Sequence, residues 1–395
     1  MADSSGIRLV ESHTPHWESG VSWSVSAEPS LVIGPGTADA AHLLWKVVGA
    51  TRLSDGRLAV LAGGPRSLLL FERDGTLLKT VGGPGDGPGE FRAPQHLQRR
   101  SGDTLVVWEG RYGRRTSFDA TGRLLGSARL GPGLVREALG AGVTSESLTP
   151  LVGDTFVAHV HTRRRNLARP PPFTRHRPAL GYAVVTPGPS ATVLGELGRY
   201  GGVEVAFTES GFPILREFPA RSLVAAGTSP PRVFITDGAT FRVDVYGPDG
   251  SLDAVFRKEG EPVPISDEAR AAARGRMMDW SGVAAPRARA DFEARMDRVE
   301  MQRYYPAITS LFVDRLGFIW ARHETEGWNV LSPEGRWLGT LHVPLHRLYD
   351  VGEDYILGWT FDDDTRERIE EYALHRAASN PVPQRFSSPH PPPIR

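Results

Sequence analysis

Cysteine is absent from this 395-residue chain, which excludes disulfides, thiolate metal sites and a cysteine nucleophile and leaves the redox compartment open. No run approaches the ~18 continuous apolar residues that a membrane-spanning helix needs. Neither sign of charge dominates: Lys+Arg and Asp+Glu stand at 46 each, so no global field directs the chain to nucleic acid or an anionic membrane. The opening residues Met1 to Gly6 lack a basic segment followed by an apolar run, so no signal peptide is expected. What the chain does have is Gly (44) and Pro (32), and that abundance favours many turns over long helices.

The turns recur in a frame. Leu58-Ala59-Val60 is followed, counting from Leu58, by Phe71 at thirteen residues and Gly75 at seventeen. Leu105-Val106-Val107 leads to Phe118 and Gly122, Val233-Phe234-Ile235 to Tyr246 and Gly250, and Phe318-Ile319-Trp320 to Leu331 and Gly335, all at the same two distances. Three of the four turns place an acidic residue directly before Gly (Asp74-Gly75, Asp249-Gly250, Glu334-Gly335), which suits the positive φ of a hairpin turn. Further turn signals, such as Ser54-Asp55-Gly56 and Ser101-Gly102-Asp103, precede the first strand of several units. Each unit therefore reads as a four-stranded up-and-down sheet of roughly 45 residues, a propeller blade. Two degenerate copies begin near Val152 and Val351, giving six. The last copy lacks an outer strand, and Pro29 to Gly34 reads like the outer strand Leu77 to Gly82. A ring must hide its free edges, so residues 29–33 are expected to pair with 368–374.

The run from Gly82 through Phe91 to Pro94 resembles the inter-blade linker of NHL-repeat-type six-bladed propellers, as does an acid five residues before an Arg at Glu109/Arg114 and Asp237/Arg242. The blades around Ala62 and Arg322 depart from that pattern, which marks a divergent member. The resemblance covers residues 21–376. It implies an all-β six-bladed propeller that serves mainly as a binding scaffold, with only some relatives enzymatic, and often an exported one. The expected organisation is a flexible N-terminal segment at 1–20, one propeller at 21–376 and a Pro-rich tail at 377–395.

Candidate chemistry is sparse. The Gly-rich run at 82–89 lacks Gly-Lys-Ser/Thr and opens no helix, so it reads as a linker and not a phosphate cradle. The repeated pairs Glu109/Arg114 and Asp237/Arg242 read as structural cross-strand pairs. His159 and His161 share one face of a strand, but no third ligand has a diagnostic spacing. Arg163, Arg165 and Arg175 belong to a basic, Pro-spiked loop with too little aromatic interleaving for single-stranded nucleic acid. Residues 265–303 break the β pattern: Ser266 caps one expected helix, and a second runs from Pro286 to Arg303 with Phe292, Met296 and Val299 on a stripe that suits docking on the propeller. Trp280 between them suits either core or ligand.

In an up-and-down blade, the loop between strands two and three opens on the same face as the linker to the next blade. Every long segment falls on that face: 82–90, 131–147, 162–180, 196–218 and 258–305. Binding residues concentrate on loops held by a rigid scaffold, so this is the expected working face. The leading expectation is a monomeric, non-enzymatic scaffold that binds a protein, peptide or polymer without a cofactor, with Arg163, Arg165, Arg175, Arg199, Tyr200, Trp280, Tyr304 and Tyr305 as candidate contacts. The alternative is a lactonase-like hydrolase with a metal in the central channel. That chemistry needs converging carboxylates and amides, whereas the inner strands, from Val47, Gln95, Leu148, Leu223, Thr309 and Arg347, read as apolar or basic.

Overall fold

The computed structural model describes residues 2–4, 6–19, 22–35, 44–110, 113–129, 143–151, 153–162, 170–186, 192–228, 230–280, 286–362 and 365–376. Six antiparallel four-stranded blades form a propeller ring. From inner to outer strand, blade I is Val47–Arg52, Leu58–Ala62, Ser67–Phe71 and Leu77–Gly82, and blade II is His96–Arg100, Thr104–Glu109, Arg114–Phe118 and Leu124–Arg129. Blade III is Val143–Pro150, Phe156–Thr162, Ala179–Thr186 and Thr192–Gly201, and blade IV is Leu223–Thr228, Pro231–Thr236, Arg242–Tyr246 and Leu252–Lys258. Blade V is Ser310–Val313, Ile319–His323, Gly327–Leu331 and Trp337–Leu341. Blade VI is Arg347–Val351, Tyr355–Phe361 and Glu367–His375, completed by Leu31–Ile33 from the N-terminal part of the chain.

The core is distributed over the seams between blades. Buried apolar clusters lie at VI/I, I/II, II/III, III/IV, IV/V and V/VI. A second strand such as Leu58–Ala62 is buried along its whole length because a neighbouring blade covers each face. This is why these strands read as continuous apolar runs without alternation. The outer hairpin turn is the same device in all four framed blades. The N–H of Glu72 donates to the Thr76 carbonyl and that of Gly75 to Glu72, a pattern repeated at Asp119/Arg123, Gly247/Ser251 and Ser332/Arg336. Each turn is followed by a register shift, the mark of a Gly bulge.

The expected closure is present: Ile33 pairs with Ile369, Val32 with Glu370 and Leu31 with Glu371. The N-terminal residues do more than close the ring, and the expectation of a flexible segment at 1–20 is corrected. Ile7–Ser12 adds a parallel strand to the outer edge of blade IV, Arg8 opposite Ala254 through Ser12 opposite Lys258, and Val10 packs on the IV/V cluster. Trp17 lies over Gly339 of blade V, and Trp23 packs edge-on to Phe318 at the V/VI seam. Apolar residues at 7, 9, 10, 17 and 23 make this stretch a strap across three outer edges.

Blade V departs from the common frame by one residue. Leu331 pairs with Ile319 and not with Phe318, because the turn after the second strand spans 324–326 where blade I uses 63–66. The outer strand of blade III extends to Gly201, so the following insertion begins at 202 and not at 196.

Candidate functional site

On the face opposite the short hairpin turns, three inserted segments knit together: residues 170–178 from blade III, the III–IV linker 202–222 and the IV–V linker 259–309. Phe173 N–H donates to the Phe207 carbonyl, Glu300 N–H to Phe173, and His176 and Val205 exchange backbone hydrogen bonds. The last insertion carries α1 (Asp267–Trp280) and α2 (Pro286–Met296). Ser266 caps α1 as expected, its Oγ accepting from Ala269 N–H at 3.1 Å. The second helix ends at Met296, earlier than the expected Arg303, although Met296 and Val299 are both buried. Arg274 of α1 fastens the helices to the linker, its Nε donating to Glu217 at 2.9 Å and its Nη1 to Asp297 at 2.6 Å.

These segments enclose a cavity of about 380 Å³ beside the ring. Its floor is an ion-pair cluster in which Glu204, 2 % exposed, lies 3.1 Å from the Nη1 of Arg216 and 2.9 Å from the Nε of Arg175. Burial pushes the Arg216 guanidinium below its ordinary value, and Glu204 acts against that shift. The Arg216 contact is electrostatic, because neither Arg216 Nη1 nor Glu204 Oε1 has a partner at hydrogen-bond angle among the described residues. Arg175, Arg303 and Tyr304 (50 % exposed) form the rim, while Tyr305 is turned inward against Phe218 with ring centroids 4.7 Å apart.

The same face carries the mouth of the central channel. His96 opens the inner strand of blade II, Arg347 that of blade VI, and Arg221 stands two residues before that of blade IV. His96 is half-buried, yet the surrounding protein pushes its imidazole down to about 4, with Arg347 and His159 adding repulsion. Arg221 is also pushed down, by burial first and then by Arg347. The sequence reads the inner strands as apolar or basic, and His96 and Arg347 fit that reading.

The structure brings Arg175, Tyr304 and Tyr305 together at one cavity and leaves Arg199 and Tyr200 elsewhere. Both of the latter lie on the outer strand of blade III, and the Tyr200 hydroxyl donates to Asp244 at 2.7 Å and meets Tyr246 at 2.7 Å, a III/IV seam contact. Arg163, Arg165 and the side chains of His161 and Trp280 lie outside the described residues. His159 packs edge-on against Tyr182 with centroids 4.8 Å apart. Among the described residues no group of three His, Asp or Glu is placed to hold a metal ion.

Glu109 and Arg114 form the expected pair, buried to 1 % and 5 % side-chain exposure, and Glu109 also accepts from Arg92 N–H at 2.6 Å and Ala93 N–H at 2.8 Å. Asp237 and Arg242 do not repeat it. The Asp237 carboxylate caps its own turn through Ala239 N–H at 2.9 Å, and Arg242 reaches along its strand to Asp244 at 2.7 Å. Glu204, Arg216 and Arg221 were not singled out from the sequence, because the 202–222 insertion follows no repeating frame.

No protein-family model matches the chain, and no curated protein matches it. Similar solved structures include a candidate exported protein from Bacteroides fragilis, at 13% identity over 94% of this chain and 100% of that one, with a TM-score of 0.46. A calcium-binding regucalcin from Agrobacterium tumefaciens is similar at 12% identity over 94% and 97% of the two chains, TM-score 0.39. A gluconolactonase from Xanthomonas campestris is similar at 14% identity over 89% and 96%, TM-score 0.37. Likenesses at this level assign no activity to the chain. No described helix is long and apolar enough to cross a membrane.

Proposed function

We propose that the chain is a binding scaffold that takes a peptide segment of a partner protein on its inserted face, anchored at the cavity between residues 170–178, 202–222 and 259–309. The observation that carries this reading is the cavity's construction: it is walled by inserted segments, and it presents an exposed Tyr304 beside Arg175 and Arg303. An aromatic ring next to guanidinium groups on a rigid support suits an acidic segment with an apolar flank. The channel mouth weighs against the lactonase-like alternative, since the guanidinium charges of Arg221 and Arg347 would repel a divalent cation. The test is selection from a displayed random-peptide library on immobilised protein. Wild-type protein should enrich acid-containing peptides. Arg175→Glu and Tyr304→Ala should each weaken the selected peptides about tenfold or more, while Lys79→Glu, on an outer strand away from the inserted face, should leave them unchanged. Enrichment that survives Arg175→Glu and Tyr304→Ala contradicts the proposal.

A further inference from the structure

We infer that the mouth of the central channel is a second site, for an oxyanion, in which Arg221, Arg347 and His96 receive a phosphate or carboxylate group of a small ligand. The three side chains come from blades IV, VI and II, every second position around the ring, and all stand at the inserted-face end of the inner strands. They therefore stand around one end of the channel, and Arg347 lies near enough to Arg221 and His96 to act on the charge of each.

Among the described residues, the charged groups that act on Arg221 and His96 are of one sign. The charged group within electrostatic range of Arg221 is Arg347, and those within range of His96 are Arg347 and His159. Among the described residues no carboxylate answers either Arg221 or Arg347. Elsewhere the chain does supply one: Arg57, Arg99, Arg114, Arg274, Arg315 and Arg376 each meet an Asp or Glu. Glu367, whose carboxylate acts on Tyr349, is engaged by Lys46 N–H at 2.9 Å, Val47 N–H at 2.7 Å and Trp359 Nε1 at 3.1 Å.

The two arginines remain accessible. Both residues are exposed, although protein surrounds Arg221 closely enough to make its charge costly. Arg347 lies over the Tyr349 ring at 5.4 Å from its centroid, and Tyr349 is fixed by donating to the Val47 carbonyl at 2.7 Å. Guanidinium groups gathered without a counter-charge repel one another, and an oxyanion accepting paired N–H bonds relieves that repulsion.

The test titrates inorganic phosphate and, separately, citrate into the full chain, each against chloride at matched ionic strength. Thermal unfolding and the NMR titration of His96 are followed together. One or both anions should raise Tm beyond the chloride control and move the His96 titration upward. Phosphate alone acting assigns a phosphate group, and citrate alone a carboxylate. The double variant Arg221→Gln/Arg347→Gln should lose both responses, with affinity falling at least about tenfold, while its Tm in chloride is equal to or above wild type. Arg221→Lys/Arg347→Lys, which keeps the charge without the planar fork, should respond more weakly than wild type, and it carries the test if the glutamine variant does not fold. The inference is overturned if neither anion exceeds chloride, or if the charge-removed variant responds as wild type does.

Discussion

Gly335 stands at φ +92° in the outer turn of blade V, and a Cβ there would run into the Phe256 ring of blade IV. Gly75 meets Leu31 and Ile33, Gly122 meets Val81, and Gly250 meets Gly195, each across the seam to the preceding blade. One residue type thus satisfies a positive φ and a close inter-blade approach. That double demand explains why this position kept its frame where flanking loops did not. At the same scale, His96 supplies a pH dependence. Its pKa is about 4 in the folded protein and near 6.5 when unfolded, so between those values the unfolded chain binds more protons. Stability should therefore be fully present above about pH 6.5 and fall as the pH drops toward about 4. His323 and His346, also lowered by burial, act in the same direction. Tm measured in chloride across this window should decline, and His96→Asn should flatten part of the slope. A wild-type Tm that is constant from pH 7 to 4 contradicts the burial of neutral His96.

Arg274 shows how an element foreign to the repeat is held. With 15 % side-chain exposure it bonds Glu217 of the III–IV linker and Asp297 beyond α2, so one guanidinium ties both helices to the inserted face. Removing one partner of such a buried network leaves the others uncompensated. Arg274→Ala should therefore raise amide exchange across 267–296 at least about tenfold while the blade strands keep their protection, as read by hydrogen–deuterium exchange mass spectrometry. Unchanged exchange in the helices would show that other contacts hold them. The two helices were legible from Ser266 and the apolar stripe, because capping and 3.6-residue periodicity are local. Their docking partner was not legible, since Glu217 lies in a segment without periodicity. The pair Glu109/Arg114 could be read by its spacing, but the same spacing at Asp237/Arg242 yields different partners, because Asp237 is drawn into its own turn and Asp244 competes for Arg242. Of the candidate contacts, Arg175, Tyr304 and Tyr305 converge because their segments share a face. Tyr200 does not, because an outer strand carries it to a seam.

The whole molecule has two unequal faces joined by a ring that must close. Turn frame and strand polarity made both properties readable in sequence, and the missing outer strand of blade VI made the closing segment identifiable. The strap from Ile7 to Val25 was hidden because it contacts three blades through scattered apolar residues and belongs to no repeat. The absence of cysteine makes closure directly measurable. Leu31 and Glu371 are antiparallel partners, and Cα atoms so paired lie roughly 4.5–5.5 Å apart, within the range a disulfide spans. The variant Leu31→Cys/Glu371→Cys would carry only two thiols. If the ring is closed as described, mild oxidation links them within one chain in nearly full yield. The very long loop so closed should then add several kcal/mol, about 4–5 at most, to stability. Thiols that remain free in the folded monomer, or that link only between chains, would contradict the closed six-bladed ring.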